Sequence, residues 1–425
     1  MSLKGRAAKM EHLMWGGCDL TELAYRFGTP LYVMDESMIR DRCRALCAAV
    51  SGRGARICYA GKAFLNLAMI RLVDEEGLGL DVVSEGELSL ACRAGFPMER
   101  VTLHGNAKSE RFLRAGLKNR VGTLVVDSED ELELLAALSE AMQIRQKILF
   151  RVSPGIEAHT LRQIQTAQLD CKFGVPMAHL KRAVARAMAC PWLDLAGLHV
   201  HVGSQIRDMD AHLAAAEIMT GLLRDLGDSL GFEARELDLG GGFGIPELPG
   251  DSPVPAEVFV GKILDRVDRR CAALELKRPE VIFEPGRWIV GEAGVILYTV
   301  VSVKEIPGVR TYVAVDGGMT DNPRPQLYGA RYEVRLASDT RRPVTKRAAI
   351  AGPCCETGDV LTMDAAVPEL HRGDVLAVPL TGAYCFSMFC GYNCMPRPAV
   401  VFARGGKARE VVRRQTLDDL AAGQI

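Results

Sequence analysis

Lys62 stands in "ICYAGKAF" (57–64), where a short apolar run gives way to a helical pattern. An amine there is either a solvated surface charge or a nucleophile, and the cost of burial does not choose between them. Three consecutive glycines, Gly240, Gly241 and Gly242, end another run, "LDLGGGFG" (237–244). Bare backbone amides of that kind can approach an anion such as phosphate, or form a tight turn with no ligand. The next run closes on "FEPGRW" (283–288), which adds Glu284, Gly286 and Arg287 beside the same position and favours the anion.

His199 and His201 alternate in "GLHVHVGSQ" (197–205) and so share one face of a strand. His201 is nearer the strand's end, ahead of Gly203 and Ser204, and is the better placed to meet a ligand. No His-Glu-x-x-His or comparable spacing exists, so no metal site is expected. Three later loops, "VDGGMTDNPRPQLYGARY" (315–332), "GPCCETGD" (352–359) and "TGAYCFSMFCGYN" (381–393), carry Arg324, Tyr328, Cys354, Cys355, Glu356 and Tyr384. Taken singly, each is as consistent with a surface turn or a buried hydrophobe as with a site.

These groups need a scaffold, and the chain alternates short apolar runs with helical windows. Eight runs occur in order, at 56–62, 78–87, 101–109, 123–128, 147–155, 195–204, 235–244 and 280–288. Segments such as "EDELELLAALSEAM" between them place apolar residues three and four apart. Eight buried strands, each followed by a helix, predict a (β/α)8 TIM barrel over 36–290. In such barrels the C-terminal strand ends carry chemistry, and Lys62 lies at the first of them. From 291 onward the runs become β-branched and closely spaced, predicting an all-β sandwich or barrel-like domain, which "TPLYVMD" near the start could join. The second domain is therefore residues 1–35 plus 291–425.

Composition narrows the partners. With 52 basic and 53 acidic residues and no long run of either sign, nothing suggests nucleic acid. No apolar stretch approaches the roughly 18 residues of a membrane span. The thirteen cysteines form no CxxC pair, which speaks against a zinc ribbon or a secreted disulfide framework and for a cytoplasmic location. The expected partner is a small molecule or another protein chain.

Together with "GLDVVSEGEL", "HGNAKS", "RVSPGIEAHT" and "DCKFG", these motifs, in this order, closely resemble the diaminopimelate decarboxylases, from about residue 15 to 402. These are fold-type III enzymes dependent on pyridoxal phosphate, in the wider group of alanine racemase and ornithine decarboxylase. The resemblance implies that Lys62 bonds covalently to the cofactor and that His201 stacks on its ring. It implies that Ser204, Gly240 to Gly242, Gly286 and Arg287 cradle the phosphate. Glu284 matches the carboxylate that keeps the ring nitrogen protonated, and Cys355 the proton donor. Tyr384 matches a residue near both cofactor and substrate. Arg287, Arg324, Tyr328 and Glu356 match the groups that bind the substrate's distal end. It further implies a homodimer in which Cys355 and Glu356 of one subunit complete the site around the other's lysine.

Decarboxylation of meso-diaminopimelate at its D centre, giving L-lysine and carbon dioxide, is the expected reaction. The rival substrates are D-ornithine and D-lysine. A racemase, or a pyridoxal phosphate carrier without catalysis, fits the loop motifs and the β domain less well. The family pattern fails at "HTLRQIQTA" (159–167), where Leu161, Gln163 and Ala167 replace a histidine, a tyrosine and a glycine. Smaller departures are Glu85, Ala107 and Thr357.

Overall fold

A computed structural model describes residues 11–155, 171–247 and 251–425. The divergent segment 159–167 lies outside the described residues. The chain divides into two units: Arg40–Pro246 with Ser252–Ile289, and Met1–Ile39 with Glu247–Asp251 and Val290–Ile425.

The first unit is a closed parallel barrel. Its strands are β1 (Ala55–Ala60), β2 (Gly79–Val82), β3 (Val101–Leu103), β4 (Thr123–Val126), β5 (Gln146–Ser153), β6 (Leu193–His199), β7 (Glu236–Asp238) and β8 (Glu280–Phe283). They pair in sequence order, β5 with β6 and β8 back to β1, which leaves no open edge. Burial on both faces explains why "GLDV" and "TLVV" carry no alternation. Each of the eight predicted runs overlaps one of these strands.

The helices depart from the prediction at one place. The chain runs helix before strand: α1 (Glu36–Val50), α2 (Leu67–Glu75), α3 (Glu85–Ala94), α4 (Glu110–Lys118), α5 (Glu129–Met142), α6 (Met177–Met188), α7 (Asp210–Leu230) and α8 (Ala256–Ala273). Strand β8 is followed only by the turn Arg287–Val290, so the eighth helix is α1, ahead of the first strand. Its Arg42 stacks 5.0 Å from the Trp288 ring centroid, and its Arg40 pairs with Glu76 at 2.7 Å. Those contacts seat α1 between the end of β8 and the end of α2. Periodicity alone cannot say which strand a helix covers.

The polar residues that end the strands also start the helices. Asn66, Ser84, Ser109 and Ser128 each accept a first-turn backbone N–H, from Met69, Glu87, Phe112 and Glu131 respectively. Each cap turns the chain back within a few residues and keeps the strand-end loops short. Lys108 adds a buried tie: its ammonium donates to Val125 O at 2.8 Å and pairs with Glu131 at 2.8 Å.

The second unit is a mostly antiparallel sheet around β9 (Gly294–Ile306). Strand β9 pairs with Leu31–Asp35, with β10 (Arg310–Val315) and with β13 (Val375–Pro379). Beyond β10 lie β11 (Lys346–Ala351) and β12 (Val360–Val367), and beyond Leu31–Asp35 lie β14 (Ala399–Arg404) and β15 (Lys407–Val412). The early segment Leu31–Asp35 thus joins the late strands. Leu31, Val33, Val295, Leu297, Ala377, Ala399 and Val401 form their shared core. No helix among the described residues is long and apolar enough to cross a membrane.

Breaking a buried ion pair from one side strands the other charge. Lys108→Met should therefore lower unfolding stability in urea by about 3–5 kcal/mol. The double variant Lys108→Met/Glu131→Leu should lose less than the sum of the two single changes, as a coupled pair requires.

Candidate active site

Inside the barrel, Cys58, Val125, Leu149, Ala196 and Ile282 form a dry layer. Two residues further along the same inward faces, β4, β5 and β8 present Asp127, Arg151 and Glu284. Strands β2, β3, β6 and β7 add Asp81, His104, His199 and Asp238 at their C-terminal ends. All seven of these ionisable residues are buried. A polar layer thus sits on an apolar one, at the end of the barrel where Lys62 emerges.

Glu284 is its centre. His104 Nε2 lies 2.8 Å from one carboxylate oxygen and His199 Nε2 lies 3.3 Å from the other. Burial alone would raise this carboxyl; the two imidazoles, through charge and hydrogen bonding, hold it well below the usual carboxylate range. Asp81 and Asp238 go the opposite way, pushed well above that range by burial and then by the charge of Glu284. Burial lowers His199 to about 4 against the pull of Glu284. Spacing along the chain gave no hint of this convergence. Its ligand atoms lie within 4.8 Å of one another, which could suit a cation, yet both imidazole nitrogens are already engaged by the carboxylate.

At the mouth, Lys62 occupies the single turn Gly61–Ala63 directly after β1 and is exposed rather than desolvated. Its charge acts on Asp81 and Glu87, and after burial it is the next influence lowering His201. Backbone pairing of Ala60 N–H with Pro285 O, 3.3 Å, ties the lysine turn to the Glu284 turn.

The three glycines are required by close packing. A Cβ at Gly240 would come within 2.7 Å of His201 Nδ1, and one at Gly241 would overlap the Glu284 carbonyl oxygen. With that space kept clear, the Gly241 N–H donates to His201 Nδ1 at 3.2 Å and fixes the ring. Arg287, buried, donates through Nη2 to the Ser204 hydroxyl at 3.1 Å. Guanidinium, hydroxyl and glycine backbone together form an anion-binding donor set.

The remaining candidates lie in the second unit. Arg324 is buried and donates to the Tyr332 hydroxyl at 2.9 Å, while Tyr328 ends the same short helix, half-buried. Cys354 is buried and Cys355 exposed, on the bend between β11 and β12. Cys355 N–H donates to Asn393 Oδ1 at 2.9 Å, and Glu356, also exposed, accepts from Gly358 N–H at 3.2 Å. Asp359 anchors their loop by accepting from Cys354 N–H at 2.8 Å and Met319 N–H at 2.7 Å. Tyr384 has φ +59, a left-handed backbone that costs a non-glycine residue roughly 1–2 kcal/mol and recurs at functional sites.

A family model described as the pyridoxal-binding domain of pyridoxal-dependent decarboxylases matches residues 36–291. The diaminopimelate decarboxylase of Bacillus subtilis (strain 168) is 46% identical over 413 residues, spanning 96% of this chain and 94% of that protein. The chain belongs to the diaminopimelate decarboxylase family. The Mycobacterium tuberculosis H37Rv member is 45% identical over 420 residues, covering 96% of this chain and 94% of its own. The crystal structure of the M. jannaschii decarboxylase in complex with L-lysine superposes with a TM-score of 0.90 at 30% identity, over 98% of this chain and 97% of that one.

Membership in this family makes the chain a pyridoxal-phosphate-dependent decarboxylase, and the residues fit the cofactor. Glu284 Oε1 is buried with His104 Nε2 2.8 Å away but not aligned as a hydrogen bond, which leaves it acceptor capacity suited to a ring N–H. The Arg287, Ser204 and glycine set suits a phosphate, and an exposed amine suits an aldehyde. Asp81, His104 and Asp238 were not singled out in the sequence, although they sit in the motifs "GLDVVSEGEL", "HGNAKS" and "LDLGGGFG". Their place at the C-terminal ends of β2, β3 and β7 is the signal that finds them.

A depressed folded-state pKa gives His199 a stability contribution that is full above the unfolded value near 6.5 and lost as pH falls toward 4. His199→Gln should therefore flatten the fall in melting temperature across that window relative to the wild type.

Proposed function

We propose that this chain removes carbon dioxide from the D centre of meso-diaminopimelate and releases L-lysine. The observation that carries the proposal is the convergence of an amine, a buried carboxylate flanked by two imidazoles and a guanidinium–hydroxyl pair on one barrel end. When bound, pyridoxal phosphate supplies a ring that withdraws electrons from the carbon losing its carboxylate. Lys62 would be the amine that holds the cofactor through its aldehyde carbon. His201, fixed by the Gly241 amide, supports the ring face. Ser204, Gly240 to Gly242, Gly286 and Arg287 hold the phosphate, and Glu284 keeps the ring nitrogen protonated.

The leaving carboxylate departs as carbon dioxide, its bonding pair stays on the α-carbon, and that carbon takes a proton. Cys355 delivers the proton and regains one from water. Arg324 and Tyr328 bind the distal carboxylate, Glu356 binds the distal ammonium, and Tyr384 contacts cofactor and substrate. A substrate lacking the distal carboxylate leaves a buried guanidinium unpaired, which is how such a pocket rejects it.

Cys355 and Glu356 are exposed on an anchored loop, which supports a homodimer where that loop completes the neighbouring subunit's site. The thirteen cysteines form no disulfide, which supports a reducing cytoplasm.

Turnover of meso-diaminopimelate, D-lysine and D-ornithine, measured side by side, should show kcat/KM at least about 100-fold higher for the first, given a polar pocket's power to discriminate. Activity confined to the other two would contradict the proposal. Lys62→Ala should lose the visible absorbance of the attached cofactor. Mixing inactive Lys62→Ala and Cys355→Ala subunits should restore about a quarter of full activity, since random pairing gives hybrids with one intact site; no recovery would place both residues in one subunit's site.

A further inference from the structure

We propose that His104 and His199 are positioning residues that grip Glu284, one imidazole to each oxygen, and aim its unused lone pairs at the cofactor's ring nitrogen. The inference rests on the reading of Glu284 as the ring's partner and adds the device that keeps it ionised and oriented.

The geometry is specific. The imidazoles reach the two carboxylate oxygens from different strands, at 2.8 and 3.3 Å. Their rings meet edge to face, with centroids 5.0 Å apart, so each blocks the other's rotation. His104 and His199 are 6% and 1% exposed, too buried to exchange the carboxylate for water. His199 Nδ1 is buried without a hydrogen-bond partner, so its Nε2 contact with Glu284 is the only hydrogen bond found for that ring among the described residues.

Every strand contributes to the field around Glu284. Strand β1 brings Cys58, with Lys62 just beyond it; β2 brings Asp81, 4.0 Å from His104 Nε2; β4 brings Asp127, β5 Arg151 and β7 Asp238. Asp81 is equally buried, yet neither of its oxygens has a hydrogen-bond partner. The geometry separates the two carboxyls of the layer: Glu284 has imidazole nitrogens at 2.8 and 3.3 Å and is held low, whereas the nearest imidazole to Asp81 is 4.0 Å away and burial, then the charge of Glu284, push it up.

The test compares His104→Leu and His199→Leu, which remove the donor, with His104→Gln and His199→Gln, whose Nε2 can still reach the oxygen. Circular dichroism and melting establish folding; where a leucine variant does not fold, asparagine, too short to reach Glu284, replaces it. The readouts are pyridoxal phosphate affinity, the absorbance of bound cofactor against pH, and kcat and KM. Loss of one donor should weaken cofactor binding by about tenfold, the equivalent of one unit of pKa. The acid limb of the binding profile should move to higher pH, kcat should fall, KM should change less, and glutamine should restore most of the loss.

Leucine variants with wild-type affinity and pH profile, or glutamine variants no better than leucine, would overturn the proposal. Glu284→Gln separates the two levels. If it leaves affinity and spectrum unchanged, the reading of Glu284 itself fails. If it alters both while the histidine variants do not, only the positioning role fails.

Discussion

The site depends on keeping one carboxylate charged inside a barrel. Moving an ion into a protein interior costs several kcal/mol even after relaxation, and a hydrogen bond to a charged group returns about 1.5–3 kcal/mol. Two donors roughly offset the cost; none leaves it unmet. Glu284 has two imidazoles and is held in its ionised form, whereas Asp81, buried beside it without partners, and Asp238 are pushed toward the neutral form. The layer therefore concentrates its negative charge on Glu284, the group we propose as the partner of a protonated ring.

The fold supplies the conditions for that balance. Closure of β8 onto β1 removes both edges and lets every strand add an inward side chain at the same height. The apolar layer beneath excludes water, which strengthens both the desolvation and the partner interactions. The Asn66 cap keeps the turn after β1 short, and Lys62, His201 and Arg287 each sit within a few residues of a rigid strand. The glycine turn after β7 lets three strand ends approach where any side chain would hold them apart.

Much of this was legible before any coordinates. The eight strands followed from eight bounded apolar runs, and Lys62, the glycines and Arg287 followed from lying at their ends. What escaped was tertiary. The helix that completes the barrel precedes the first strand, and α1 has the same periodicity as a helix placed anywhere else. His104 and Asp81 lay within motifs yet looked like ordinary strand-end residues, because facing Glu284 depends on register around a closed sheet. His199 read equally well as a satisfied core histidine, and in a sense it is one: its partner is the site's carboxylate. Burial did not choose between the two readings of Lys62, because the turn carrying it leaves the side chain exposed. The segment 159–167, where the family pattern breaks, lies outside the described residues.

The central claim concerns the protonation state of one residue, and infrared difference spectroscopy reads it directly. Spectra of the wild type minus Glu284→Gln, collected from pH 5 to 8, should contain an ionised carboxylate band at every pH and no protonated carboxyl band. A protonated carboxyl that belongs to Glu284 at neutral pH would contradict the account, because neither the imidazole pair nor the layer built around it would then be doing what their geometry implies.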